Sequence, residues 1–578
     1  MHGDDNNPGT AEQPFATLRR AQQAVRERIA AGLDRDIKVW IRGGFYPQDE
    51  PLTFGPEDSG TEQFSITYAA HPGHRVIVSG GQAITNWTKL NANIWCALAD
   101  PILGRQFAPR RFYVNGHAAI RSRSPNLAGS SPFVRTELVE INPSNQLWTI
   151  RLEPGVGTIT RPELLEIVLL NHWEILRQSV RGVESRTGAL QLGPGVPEPY
   201  MLPRAGVGAY LENDPAFLDQ PGEWYFDLAQ QRICYRPRAG ENPTASLTVI
   251  PTLPHVLVVR GRQDQPVRNL HFHGLEFAHT DWQMPPFGFT GAQACFYIVP
   301  DPNNPSKRLR QEFPPAVVDW EFAEGCSIRS GWITQSGGSG IRLGIGCRDN
   351  RIVGNRIYDC AANGIMVGDN REYTDETTVA RGNEVTDNVV AYVGTVFHGG
   401  VGIWVGYAQQ TRVAHNLISD LPYTGISVGW LWDSRPSNCK SNLIEYNRIT
   451  RVMRWLVDGG GIYTLGYQPG TIIRSNHVSD LQFSHYAAGG AVAGIYLDNG
   501  SKGFEVAGNV TDDVPLGLWV ATNVHDFRWL PNLFPSAKPD GVQHHIGPPL
   551  SPAEAKEIRS QAGLQPVYRE RLLGENAK

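Results

Sequence analysis

NRIYD at residues 355–359 is the first clear copy of a phrase that keeps returning: NEVTD at 383–387, NLISD at 416–420, NRIT at 447–450, NHVSD at 476–480 and NVTDD at 509–513. Successive asparagines lie 28, 33, 31, 29 and 33 residues apart. A second phrase is interleaved with the first: GIMVG from Gly364, GIWVG from Gly402, GISVG from Gly425, GIYTLG from Gly461, GIYLD from Gly494 and GLWV from Gly517. Short β-rich strings at such a period mark a solenoid whose repeats stack on their neighbours. Two or three short strands per repeat, broken by Asn, Asp and Gly, make each repeat one coil of a parallel β-helix. Strand side chains alternate, so in N-x-I-x-D the aliphatic points inward and its neighbours outward. Asn at the bend is expected to tolerate left-handed backbone angles and to stack into a ladder along the helix. Nearly all of these asparagines are then structural, and function must come from residues that break the repeat. Parallel crossovers are overwhelmingly right-handed, and the coils are expected to follow that hand.

The chain has 578 residues, 41% hydrophobic and 19% charged, with 61 glycines and 42 prolines, which suits a large, turn-rich β protein. Its net charge is −5 and it has no long basic run, so neither nucleic acid nor an anionic membrane is an expected partner. No stretch of about 18 apolar residues is present to cross a membrane as a helix. The seven cysteines are scattered, with no CxxC, and argue against a disulfide scaffold. MHGDDNNPGT at the start is not a signal peptide and reads as a mature N-terminus behind an added Met. A secreted or periplasmic monomer is the expectation, resting mainly on the fold.

Four segments follow from the pattern. Residues 1–85 hold an amphipathic helix within Pro14–Leu33 and the first coils, and the helix would cap the open sheet edge. Over 86–249 the coil pattern stops, and alternating runs such as WYFDLAQQRICYRP predict an inserted β-sandwich-like domain. Coils resume over 250–530, and 531–578 form a Pro-rich tail with a short helix started by the Ser551/Glu554 capping box. The fold class is all-β: a right-handed parallel β-helix with an inserted β-sandwich-like domain and an N-terminal capping helix.

Two carboxylates break the repeat. Asp458 sits in WLVDGGGIYTLG and Asp498 in GIYLDNGSKG, and neither is an N-x-I-x-D turn acid. Glycines beside an acid would let a ligand approach the backbone closely. Paired carboxylates are what glycosidic cleavage needs, one protonating the leaving oxygen and the other attacking carbon or activating water. Tyr463 and Tyr496 share the GIY slot on consecutive coils and belong to the expected sugar-binding set, although core roles fit them equally. Trp430, Trp432, Tyr407 and Trp455, with Trp404 and Tyr423 nearby, suggest an aromatic platform for sugar C–H faces. His398 and His485 are candidates to bond sugar hydroxyls. Asp369, Asp433 and Glu445 are the reserve carboxylates. His271 and His273 share a strand face but lack a third ligand, so metal-independent chemistry without a cofactor is expected.

DNNPGTAEQPFATLRRAQQAV, VNGHAAIRSRSPN, and above all VDGGGIYTLGYQPGT and AGIYLDNGSKGFEVAGNV resemble glycoside hydrolase family 141. The resemblance covers most of the chain. It implies a right-handed β-helix with an inserted β-sandwich. It also implies hydrolysis of plant or algal polysaccharides, since members include α-L-fucosidases and a xylanase. The family's proposed catalytic aspartates fall in the DGG and YLD phrases, at Asp458 and Asp498, and Asp498 is the favoured general acid. One register aligns the two GIY phrases and would hold the acids too far apart. The favoured register aligns the aspartates instead and loops out Ser484–Gly490.

Two other readings compete. A polysaccharide lyase would use a basic subsite, for which Arg451, Arg454 and Arg474 are candidates. A non-catalytic glycan-binding protein would hold polymer without releasing new reducing ends.

Overall fold

The computed structural model describes residues 3–99, 108–128, 131–142, 147–193, 202–521, 524–535, 538–539 and 548–574. Part of the Pro-rich tail, 540–547, lies outside them. The chain winds through three parallel sheets of 11, 10 and 11 strands. In one coil these are Arg412–Ala414 on the first face, Leu417–Ser419 on the second and Ile426–Val428 on the third. Each strand pairs in parallel with its counterpart in the next coil, as Ile418 does with Ile449 and Ile426 with Ile462. The inward aliphatics Ile357, Val390, Ile418, Ile449 and Val478 are fully buried and form one continuous core.

The asparagine ladder forms, with one substitution in the expected order. Each Nδ2 donates to the Oδ1 of the next coil at 2.9–3.0 Å, in the series Asn355, Asn388, Asn416, Asn447, Asn476, Asn509, Asn532. Asn383 is not in it. NEVTD supplies a first-face strand, Glu384–Thr386, and Asn383 pairs with Asn350 in a second ladder at the preceding corner. The left-handed angles also sit elsewhere than expected. Asp359, Asp387, Asp420, Asp480 and Asp513, the acids that end the phrase, have φ of 50–60°. A short polar side chain lowers the strain of that region, while the asparagines use their amides for the ladder. Asn447→Ala would strand the amide of Asn416 without an acceptor. The expected loss is on the order of 2–4 kcal/mol, read as a lower midpoint in guanidinium unfolding.

The glycine phrase marks a corner. A Cβ on Gly364, Gly402, Gly425, Gly461 or Gly494 would lie 2.4–2.9 Å from the carbonyl oxygen of the glycine in the next coil. Only glycine lets successive coils stack there at about 4.8 Å.

The helix Leu18–Ala30 covers the first coil with Leu18, Ala21 and Val25, and Thr17 Oγ1 caps it by accepting from the Arg20 amide. At the other end of the chain, helix Pro552–Gln561 begins with the Ser551/Glu554 capping box and lies along the coils, where Arg559 pairs with Asp512. Within the second coil, between its second-face strand Val76–Ser79 and its third-face strand Leu257–Arg260, mostly antiparallel strands from Thr88 to Tyr235 build the inserted module. It contains one disulfide, Cys96–Cys234, between facing strand residues, which the cysteine pattern did not suggest.

A second departure was not foreseen. After Trp282 the chain leaves the coils and adds Phe289–Gln293, Phe296–Asp301 and Asn304–Glu312 to the edge of the inserted sheet. The inserted module also folds back over the coils. Arg111 pairs with Asp359, and Tyr210 Oη bonds His398 Nε2 at 2.8 Å. Arg110, Arg121 and Arg177 surround the buried Glu166 and Glu212, compensating charges that would otherwise be costly to bury.

Candidate active site

On the third face, Met366, Trp404, Ser427, Tyr463, Tyr496 and Trp519 stand in one register column. The rings of Tyr463 and Tyr496 are 5.4 Å apart, and those of Tyr496 and Trp519 are 6.0 Å apart. Asp458 immediately precedes the strand Gly459–Thr464, and Asp498 immediately follows Val492–Leu497 on the next coil. Their hydrogen bonds cross between coils. Tyr496 Oη donates to Asp458 Oδ1 at 2.7 Å, and Tyr463 Oη donates to Asp498 Oδ2 at 2.5 Å.

The register is the one that aligns the two GIY phrases: Ile462 faces Ile495 and Tyr463 faces Tyr496. The favoured alternative is therefore wrong. The two acids are still linked, because Tyr496 Oη reaches Asp458 at one end of the strand pair and Tyr463 Oη reaches Asp498 at the other. A Cβ on Gly460 would sit 3.4 Å from Tyr496 Cβ. Ser484–Gly490 absorbs no offset. It docks on the inserted module, where the Gly208 amide donates to Tyr486 O at 2.7 Å and the Ala488 amide to Asn171 O at 2.9 Å.

The three glycines after Asp458 serve protein contacts rather than an approaching ligand. A Cβ on Gly459 would lie 2.5 Å from Thr424 Oγ1 and 2.8 Å from the Tyr423 ring, one on Gly460 2.3 Å from Ala493 O, and one on Gly461 2.4 Å from Val478.

Both carboxyls are only partly exposed and both are held above the ordinary aspartate range. Burial is the main cause for each. At Asp458 the bond from Tyr496 works against it. At Asp498 the bond from Tyr463 also works against it, while the nearby charge of Asp458 adds to the rise.

The inserted module supplies one wall. The tip of its hairpin, Asn171–Glu174, meets the segment that leads into Asp458: the Val457 amide donates to His172 O at 3.0 Å. Behind it, Glu174 is fully buried, accepting from the Cys295 amide at 2.6 Å, and burial pushes its carboxyl up to about 8. Nothing in the coil pattern pointed to this hairpin. The polar NHWE between the apolar runs EIVLL and ILRQSV was its one visible mark. Trp519 was legible, since GLWV places it in the same slot as Tyr463 and Tyr496.

A family model described as the GH141 insertion domain matches residues 92–238, and one described as a right-handed β-helix region matches 321–418. A solved glycoside hydrolase is similar over 98% of both chains, at 25% identity with a TM-score of 0.83. The chain thus carries a GH141 insertion domain and is similar over its whole length to a glycoside hydrolase. It is a glycosidase with a right-handed parallel β-helix. Two remoter structures are a complex of XylC with xylose and a GH136 lacto-N-biosidase from Eubacterium ramulus. The first is 13% identical over 89% of this chain and 75% of the other, with a TM-score of 0.49. The second is 13% identical over 91% and 64%, with a TM-score of 0.35. Among functionally curated proteins none matches significantly.

In this glycosidase the expected aromatic platform ahead of the acids is absent. Trp430 is buried against Phe296 and Trp404, and Tyr407 is buried with its hydroxyl on Trp430 O. The excursion through Phe296 covers them. Trp455 is half-buried between Phe133 and His398. His398 is 1% exposed and bonded to Tyr210 and Gly394 O, so it has no face for a sugar. Trp432 and His485 are exposed, Trp432 edge-on to Trp430 and His485 on the loop held by Arg135. Tyr463 and Tyr496 are the members of the set that meet the acids.

The reserve carboxylates Asp369 and Glu445 are buried in ion pairs with Arg342 and with Arg412 and Arg474, while Asp433 lies in the Trp432 loop. Arg451 is tied to Asp420, so two of the three arginines offered for a lyase subsite are engaged at other corners. Among the described residues no group of three or more His, Cys, Asp or Glu side chains could hold a metal ion, and no helix is long and apolar enough to cross a membrane.

Proposed function

We propose that the protein cleaves glycosidic bonds in a plant or algal polysaccharide or oligosaccharide, with α-L-fucosidase-like specificity, using Asp458 and Asp498 as its paired carboxylates. The observation that carries this is the crossed pairing of Tyr496 with Asp458 and Tyr463 with Asp498. It brings two acids of raised proton affinity to one patch of the third face. In such a pair one member donates a proton to the leaving oxygen while the other acts as nucleophile or base. Asp498 is assigned as the acid, because the charge of Asp458 raises it further. Tyr463 and Tyr496 are buried and serve to hold the acids, while Trp519, partly exposed beside Tyr496, offers a ring face on which a sugar can stack. Fucosidase specificity and the substrate class come from the family resemblance, which also covers a xylanase.

The disulfide in the inserted module suits an oxidising compartment, so we assign the protein to the periplasm or the extracellular space. Incubation with aryl α-L-fucosides, xylan and a set of pectic and algal polysaccharides, read by released sugar, tests the reading. Fucose release supports it. Xylo-oligosaccharides alone would move the assignment to xylanase, and products absorbing in the near ultraviolet would move it to lyase.

A further inference from the structure

Asp458 has φ +60°, the left-handed region that costs a non-glycine residue strain and persists only where the surroundings impose it. Its amide donates to Ala491 O at 2.8 Å, which is the coil's own ladder. Its carbonyl oxygen is held differently, by the hydroxyl of Tyr423 at 2.8 Å. Tyr423 is wholly buried at the corner of the preceding coil, and its hydroxyl lies 3.4 Å from Gln293 Nε2, in the strand that joins the inserted sheet. Gly459 is what lets its ring pass beneath the acid. One residue earlier, Val457 is bonded to His172 O at the inserted hairpin tip.

We infer that Tyr423 is a positioning residue for catalysis: with the inserted hairpin it fixes the strained backbone that aims the Asp458 carboxyl. It touches no substrate, and its effect is carried through the Asp458 carbonyl. A small misplacement of a reacting group can cost on the order of a hundredfold in rate.

The inference rests on Asp458 being catalytic, so the test pairs two variants of the full chain, Tyr423→Phe and Asp458→Asn, on the best substrate from the panel. Tyr423→Phe keeps the buried ring and removes one hydroxyl. The expected result is a kcat reduced roughly ten- to a hundredfold with KM within about twofold, at a melting temperature close to wild type. Tyr423→Phe at wild-type kcat beside an inactive Asp458→Asn overturns the positioning role and leaves the site intact. A kcat loss accounted for by the unfolded fraction also overturns it. An active Asp458→Asn overturns the site itself.

Discussion

Asp458→Asn and Asp498→Asn are each expected to lower kcat by at least about 10²-fold, the typical contribution of a positioned acid or base. The fold is expected to survive, because an Asn Oδ1 can still accept from Tyr496 or Tyr463 in the same place. What is lost is the exchangeable proton or the negative charge. The two substitutions differ in pH behaviour. The wild-type rate should be bell-shaped, since one carboxyl must be ionised while the other keeps its proton. Part of the raised proton affinity of Asp498 comes from the charge of Asp458. Residual activity of Asp458→Asn should therefore fall away at lower pH than the wild-type basic limb. Steady-state rates across pH with an aryl glycoside check both statements. Near-normal turnover in both variants would retire the pair and return the search to Asp369, Asp433 and Glu445.

The second large effect is on stability and comes from Glu174. Its folded-state pKa is about 8 against an ordinary 4.5, because it is buried and helped only by the amides of Cys295 and Ile175. The folded protein thus holds a proton that the unfolded chain releases above about pH 4.5. Stability from this group is complete below pH 4.5 and is lost as pH rises towards 8. Each unit of difference is worth about 1.4 kcal/mol, so the penalty near pH 8 is on the order of 4 kcal/mol. Glu174→Gln keeps an acceptor for the Cys295 amide and has nothing to ionise. It should match wild type at pH 5 and be clearly more stable at pH 8. Denaturant unfolding at the two pH values decides it: equal destabilisation of wild type and variant between pH 5 and 8 would show that Glu174 is not the titrating group.

The coil architecture was legible because it is a local property. The inward aliphatic, the ladder amide and the corner glycine of each coil are all set by neighbours about thirty residues away, and each leaves its own periodic mark. Asp458 and Asp498 stood out as departures from that period, and Tyr463 and Tyr496 as occupants of one shared slot within it. Two kinds of information were not in the period at all. The first is which aromatics stay uncovered: Trp430 and Tyr407 are part of the continuous buried core, Trp430 packed on Phe296 from the chain between Trp282 and Phe313 and Tyr407 bonded to Trp430 O. The second is how far a side chain reaches. Counting residues along the strand put Asp458 and Asp498 far apart, and it gave no sign that the Tyr496 and Tyr463 side chains would reach along the face to bond them.

The placement of the inserted module has a consequence for the order in which the protein is made. The module is synthesised before the second coil is complete, yet its contacts reach residues made much later. Tyr210 waits 188 residues for His398, and Arg135 waits 350 for the His485 carbonyl. At about 5–20 residues per second, the interval is roughly ten to seventy seconds. During it the buried face around Tyr210, Phe133 and Arg123 has no coil to cover it. Each coil, by contrast, needs only its predecessor. The candidate site is thus completed last, when the loop before Gly490 closes on a module made tens of seconds earlier.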